Sequence, residues 1–149
     1  MNNVLSGNKD KPSVQAHITM LQGIINRMAS NSIQCKQWCI AIETVLFGIV
    51  KDSMDWWVFG MTAITSFTFM YLDAGYLCYE RQIRKQQNDF IKKINTGESF
   101  EKDIFLVEKI KNDVHSIMKT VCSKYVWTYY FFIITFMLIF TINLNSAAF

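Results

Sequence analysis

The stretch WCIAIETVLFGIV, Trp38–Val50, decides how the rest of the chain is read. Twelve of its thirteen residues are apolar, small or singly hydroxylated, and the thirteenth, Glu43, puts a carboxyl group in the middle. Taken alone the segment is short for a bilayer span, because a helix needs about 20 mostly apolar residues to cross. Two longer blocks follow. Trp56–Leu77 has 22 residues with Asp73 as its only charge, and Tyr125–Leu144 has 20 residues with none. Both qualify as spans. Only KDSMD, residues 51–55, separates the first block from the second. Five residues cannot return a chain across a bilayer, so if the second block crosses, the first must cross too.

Composition points the same way. Of 149 residues, enough for one domain, 51% are hydrophobic and 15% aromatic, against 18% charged, an excess of apolar over charged side chains for a soluble domain. One proline and six glycines favour long helices over a turn-rich β fold. The net charge of +3 is too small to argue for duplex nucleic acid. The first 13 residues are polar, so no cleavable leader is expected.

Lysine and arginine set the orientation. Residues 1–37 carry four and residues 78–124 carry ten, whereas KDSMD carries one and the tail NLNSAAF none. This predicts a cytosolic N-terminus, an external hairpin turn, a cytosolic middle segment and an external C-terminus. Trp38, Trp56, Trp57, Tyr125 and Trp127 fall at the expected interfaces, where amphipathic rings are favoured.

Periodicity extends the spans into the cytosol. Val14, Ile18, Leu21, Ile25, Met28, Ser32, Cys35, Cys39, Ile42, Leu46 and Ile49 form a seam in alternating steps of four and three, the pattern of a supercoiled helix contact. It predicts one helix from about Ser13, as N-cap, to Val50. Leu72, Tyr76, Tyr79, Ile83, Gln86, Phe90 and Ile94 continue the second helix to a stop at Gly97. Ser99 is placed to cap a third helix, striped by Ile104, Val107, Ile110, Val114, Ile117 and Val121. The predicted fold is all-α: an antiparallel hairpin plus a third span, oligomeric, with the three helices extended into a cytosolic stalk. Its parts are a flexible tail (1–13), the cytosolic part of helix 1 (14–37), the first span (38–50), the second span (56–77), the cytosolic part of helix 2 (78–96), the cytosolic part of helix 3 (99–124), the third span (125–144) and an external tail (145–149).

Residues equidistant from Ser53 lie at similar depth in such a hairpin. This pairs Lys36 with Asp73 and Arg27 with Glu80 near the cytosolic surface, with Gly75 allowing close approach; the alternative is separate solvation of each charge. Glu43 matches Ala63 in depth, near mid-bilayer, beyond the reach of any basic residue of the chain. Intramembrane acids of this kind face a bundle interior or a watery cavity and are functional candidates. A ring of Glu43 side chains from several subunits lining a cation path, a protonated Glu43 bonded to Thr62, Thr65 or Ser66, and a snorkelling Glu43 all remain open.

Other candidates are weaker. Cys35, Cys39, Cys78 and Cys122 match no zinc-ligand spacing and read as reduced core thiols rather than a metal site. His17 and His115 lie in no nucleophile or metal motif, and no phosphate-binding or hydrolase signature is present; neither enzyme activity nor a cofactor is expected. Arg81, Arg84, Lys85 and Lys111 read either as solvated, positive-inside anchors or as an anionic site for a nucleotide or oligonucleotide phosphate built by several subunits.

The segments INRMASNSIQCKQW (Ile25–Trp38) and LDAGYLCYERQIRK (Leu72–Lys85) resemble two signatures of small three-span bacterial membrane proteins. Similar proteins, including the SLATT-like group and the channel partner of Hailong-type systems, serve as membrane effectors in anti-phage loci. The resemblance implies an oligomeric inner-membrane ion channel or membrane-disrupting effector, a tetramer being one guess. Gating would come from a cytosolic nucleotide or oligonucleotide signal, made by a partner protein. It brings no catalytic residues, and Glu43 lies outside both segments. The alternative is a non-conducting structural membrane protein that docks a partner through its coiled-coil stalk.

Overall fold

A computed structural model of the chain describes residues 11–49, 56–110 and 114–147; the KDSMD turn, most of the expected 1–13 tail, Lys111 and the last two residues lie outside these. Two long helices run antiparallel, α1 (Pro12–Ile49, 38 residues) and α2 (Trp56–Thr96, 41 residues). Ser13 is not the N-cap of α1. Pro12 takes the first helical position, where its missing N–H costs nothing, and the Lys11 carbonyl accepts from the amides of Val14 and Gln15 at 3.0 and 3.2 Å. From there α1 continues unbroken past Cys35, a length of roughly 57 Å at 1.5 Å per residue. The expected stop of α2 at Gly97 is present. Gly97 adopts a left-handed φ of 75°, and the Glu98 amide reaches back to the Lys93 carbonyl at 3.1 Å, the bond that closes a helix with a glycine just past its end.

The third segment departs from the expected helix over 99–124. After a single 3₁₀ turn, Glu101–Asp103, residues 106–110 take no helical form. Helix resumes as α3 (Val114–Val121), breaks at Cys122–Ser123, and resumes again as α4 (Lys124–Ala147). Side-chain partners on the hairpin explain the loss of helix. Phe100 is buried against Phe90, ring centroids 6.0 Å apart. Asp103 is held by Lys93 at 2.6 Å. The Phe105 amide is taken by His17, and Phe105 itself stands at φ 60°, a conformation that no α-helix continues through. Residues 100–110 are therefore a strap across the open end of the hairpin. The α3–α4 corner has its own cap: Ser123 offers its carbonyl to the amides of Val126 and Trp127, as an N-cap residue does.

The seam on α1 holds for Val14, Leu21, Ile25, Ser32, Cys35 and Cys39, but the next buried residue is Glu43, not Ile42. A straight α-helix drifts about 20° per heptad against a strict seven-residue repeat, and after four heptads this drift has carried position 43 inward. On α2, Ile83, Phe90 and Ile94 are buried as expected, but Asp73 and Ala74 turn inward in place of Leu72.

The two ends of the hairpin are sorted in opposite ways. In the stalk, Val14, Phe90, Ile94 and Phe100 form one apolar cluster and Leu21, Ile25 and Ile83 another. In the other half, Ser32, Glu43, Thr62, Ser66 and Asp73 are buried between the helices, while Trp38, Val45, Trp57, Ile64 and Phe67 point outward. The outer face of α4 matches this half, with Trp127, Phe131, Phe132, Phe136 and Ile139 exposed. Val126–Asn143 of α4, 18 residues, is long and apolar enough to cross a membrane, and it alone is so among the described residues. Lys36, Glu43, Asp73 and many hydroxyl groups lower the hydropathy of the corresponding parts of α1 and α2.

Candidate functional site

The polar seam between α1 and α2 is the most developed chemical feature. At its deepest point Glu43, 5% exposed, accepts on Oε1 from the Ser66 hydroxyl across the interface and from Cys39 Sγ one turn earlier on its own helix, the latter at 3.4 Å. Of the three partners weighed for Glu43, the structure selects Ser66. Thr62 donates instead to the Val58 carbonyl of its own helix at 3.0 Å. Thr44, Thr68, Thr128 and Thr141 do likewise, each to the carbonyl four residues back. This satisfies a hydroxyl without water.

One level nearer the stalk, Asp73 is fully buried and meets Lys36 Nζ at 2.6 Å through Oδ2. Its Oδ1 accepts from the Ser32 hydroxyl, which in turn accepts from Lys36 Nζ at 3.1 Å. The lysine approaches Oδ2 as a charge partner rather than along a well-aligned hydrogen bond. The Tyr129 hydroxyl of α4 donates to the Lys36 carbonyl at 3.2 Å, tying α4 to this level. Beside it Tyr130 is buried with a hydroxyl that finds no hydrogen-bond partner among the described residues. Depth matching therefore brings Lys36 to Asp73. It does not bring Arg27 to Glu80: Arg27 stands exposed on α1, and Glu80 takes the guanidinium of Arg84, one turn along α2, at 2.6 Å. An i,i+4 pair on one helix needs no alignment of a second.

Of the four basic candidates, Arg81, Arg84 and Lys85 lie among the described residues, all on α2. Arg84 is occupied by Glu80, Arg81 donates to Ser123 Oγ at 3.2 Å, Lys85 is exposed, and Lys111 lies outside the described residues. Of the cysteines, Cys35, Cys39 and Cys78 are buried and Cys122 is exposed. Among the described residues no three His, Cys, Asp or Glu side chains are grouped to hold a metal.

A second constellation lies at the far end of the stalk. His17 is buried between the edges of Phe90 and Phe105, with ring centroids 4.5 and 6.3 Å away. Its Nδ1 accepts from the Phe105 amide at 3.1 Å, which identifies Nδ1 as the unprotonated nitrogen of a neutral ring. Burial pushes the His17 pKa below the usual histidine value, against the opposing pull of the Asp103 carboxylate. Sequence reasoning missed this contact. The only signal for it was His17 falling one residue before the seam position Ile18, and its partner is a backbone amide 88 residues away. Depth matching places Ser32 opposite Asp73–Gly75, and the structure shows it bridging the ion pair.

No family model, no curated protein and no solved structure matches this chain.

Proposed function

We propose that the chain is a multi-pass membrane protein whose hairpin and α4 all cross the bilayer, and that it acts as an oligomeric channel or membrane-disrupting effector controlled from the cytosolic stalk. The observation that carries the membrane part is the reversal of sorting along α1 and α2. A soluble hairpin of this length buries apolar side chains throughout. Here the half level with α4 turns tryptophan, isoleucine and phenylalanine outward and encloses Glu43, Asp73 and serine hydroxyls. Lipid is the solvent that such a surface suits.

The channel part is supported by Glu43, an acid enclosed at the level of the most apolar outer surface. Reconstitution of the chain alone into liposomes tests it. The expected result is cation flux, reduced at least fivefold in Glu43→Gln. Flux with unchanged selectivity in that variant would remove Glu43 from the conducting path. The inner-membrane location, an anti-phage role and a nucleotide trigger follow from the resemblance of Ile25–Trp38 and Leu72–Lys85; Arg81 and Lys85 on the stalk are the residues to mutate in testing the trigger.

One observation favours a second reading, a non-conducting membrane anchor that docks a partner through its stalk. Glu43 is satisfied within one subunit by Ser66 and Cys39, so it holds two helices together without needing a pore. Absence of flux from correctly inserted protein would select this reading.

A further inference from the structure

α2 is the central helix: α1 and α4 both pack on it, but barely on one another. Between them runs a groove. Its deeper part, about 540 Å³, lies between Ile40, Thr44 and Gly48 of α1 and Phe136, Met137 and Phe140 of α4, with Glu43 on its wall. A second hollow of about 500 Å³ lies on α4 itself, beside Lys124, Thr128 and Tyr129. The two share Phe132 and Ile133 as lining, so they adjoin along α4.

Two side-chain bridges cross from α1 to α4. The Tyr129 hydroxyl reaches the Lys36 carbonyl at 3.2 Å, and Phe47 meets Phe140 at 4.3 Å between ring centroids. A helix of roughly 10 Å diameter cannot lie along a groove interrupted in this way, but a flexible hydrocarbon chain can. The charges complete the match. Glu43 is turned towards Ser66 and Cys39, and Lys36 is committed to Asp73. Lys124 stands exposed at the mouth, at the level where lipid phosphates attract lysine.

We infer that this groove binds one anionic phospholipid, its acyl chain lying along Phe132, Ile133 and Phe136 and its phosphate on the Lys124 ammonium. The inference rests on the membrane reading above. The lipid fills the gap between α1 and α4 that the protein leaves open, and so joins α4 to the helix that carries Glu43.

The test uses the full chain purified in mild detergent, with native mass spectrometry counting retained phosphatidylglycerol against phosphatidylcholine. A β-carbon added at Gly48 meets nothing within 4 Å, and Gly48 lines the groove, so Gly48→Phe puts a ring into it. Retention of one phosphatidylglycerol per chain is expected, falling at least tenfold in Gly48→Phe and about fivefold in Lys124→Gln. Val45→Phe, on an exposed position of α1 outside the groove, should leave it unchanged. Equal retention in all four proteins, equal retention of the two lipids, or a change in subunit number with Gly48→Phe in place of lipid loss would overturn the site. A chain that resists alkaline extraction from membranes while giving any of those results leaves the membrane reading standing. A chain released by alkaline extraction overturns both.

Discussion

The stalk half and the outward-apolar half of the α1–α2 pair are built from the same two helices in one register, yet they are held together by opposite means. In the stalk, Leu21, Ile25 and Ile83 are buried while Gln15, Gln22, Lys85 and Lys92 face out, so removal of apolar surface from water drives the contact. In the other half many large apolar side chains of α1 and α2 are outside, and the buried apolar cluster there, Ala74 and Cys78 with Val126 and Tyr130, forms against α3 and α4. The α1–α2 contact there consists of Ser32, Lys36 and Asp73, then Cys39, Glu43 and Ser66. The comparison teaches that one helix pair can change its adhesive along its length, small and polar residues replacing the large apolar ones; on the membrane reading proposed above, this happens where lipid would remove the hydrophobic drive.

The largest expected effect breaks the polar half. Lys36→Met leaves the fully buried Asp73 carboxylate without its charge partner, a loss of about 4 kcal/mol by analogy with broken buried pairs. Unfolding in mild detergent would measure it, and Lys36→Met with Asp73→Leu should recover most of the loss. In the stalk the partly exposed Glu80–Arg84 pair is expected to be worth under about 0.5 kcal/mol by the same measurement. Equal costs at the two sites would erase the distinction drawn here.

Next in size is the outer surface. Ile64 and Ile91 both lie exposed on α2, one in each half. Arginine at Ile64 should cost about 3 kcal/mol of membrane insertion, whereas arginine at Ile91 should stay within about 0.5 kcal/mol. Insertion assays on both variants sharpen the boundary between the halves, and an innocuous Ile64→Arg would overturn the proposed crossing of α2.

Smaller effects belong to the strap. The folded His17 pKa lies below its unfolded value, so between the two the unfolded chain binds more protons. The contribution of His17 is therefore complete above about pH 6.5 and is lost as pH falls through that value towards the folded one. The hydrogen bond concerned is worth about 1 kcal/mol. Exchange of the Phe105 amide, corrected for its intrinsic rate, should speed up severalfold on acidification in the wild type and show no such step in His17→Phe. Asp103, itself held by Lys93, is the charge that pulls the His17 pKa up, so Asp103→Asn should lower it further. Smallest of all, Phe105→Gly relieves a left-handed φ of 60° and should raise strap stability by under about 1 kcal/mol, read as slower exchange at Leu106.

Much of this molecule was legible in its residues. The two long helices follow from seam periodicity and from the scarcity of Pro and Gly, and the stop at Gly97 from the one residue that adopts a left-handed φ freely. The Lys36–Asp73 contact follows from depth matching, because helix rise is the same on both arms. All of these depend on local geometry repeated at constant pitch. Three features depended on the tertiary structure. Glu43 rather than Ile42 faces α2, since small drifts of a real helix accumulate over four heptads. The strap replaces a helix whose apolar stripe was clear in sequence, because Phe90, Lys93 and His17 offer Phe100, Asp103 and Phe105 partners that a helix would forgo. The groove between α1 and α4 exists because both pack on α2, and no pattern within either helix records how far apart a third element holds them.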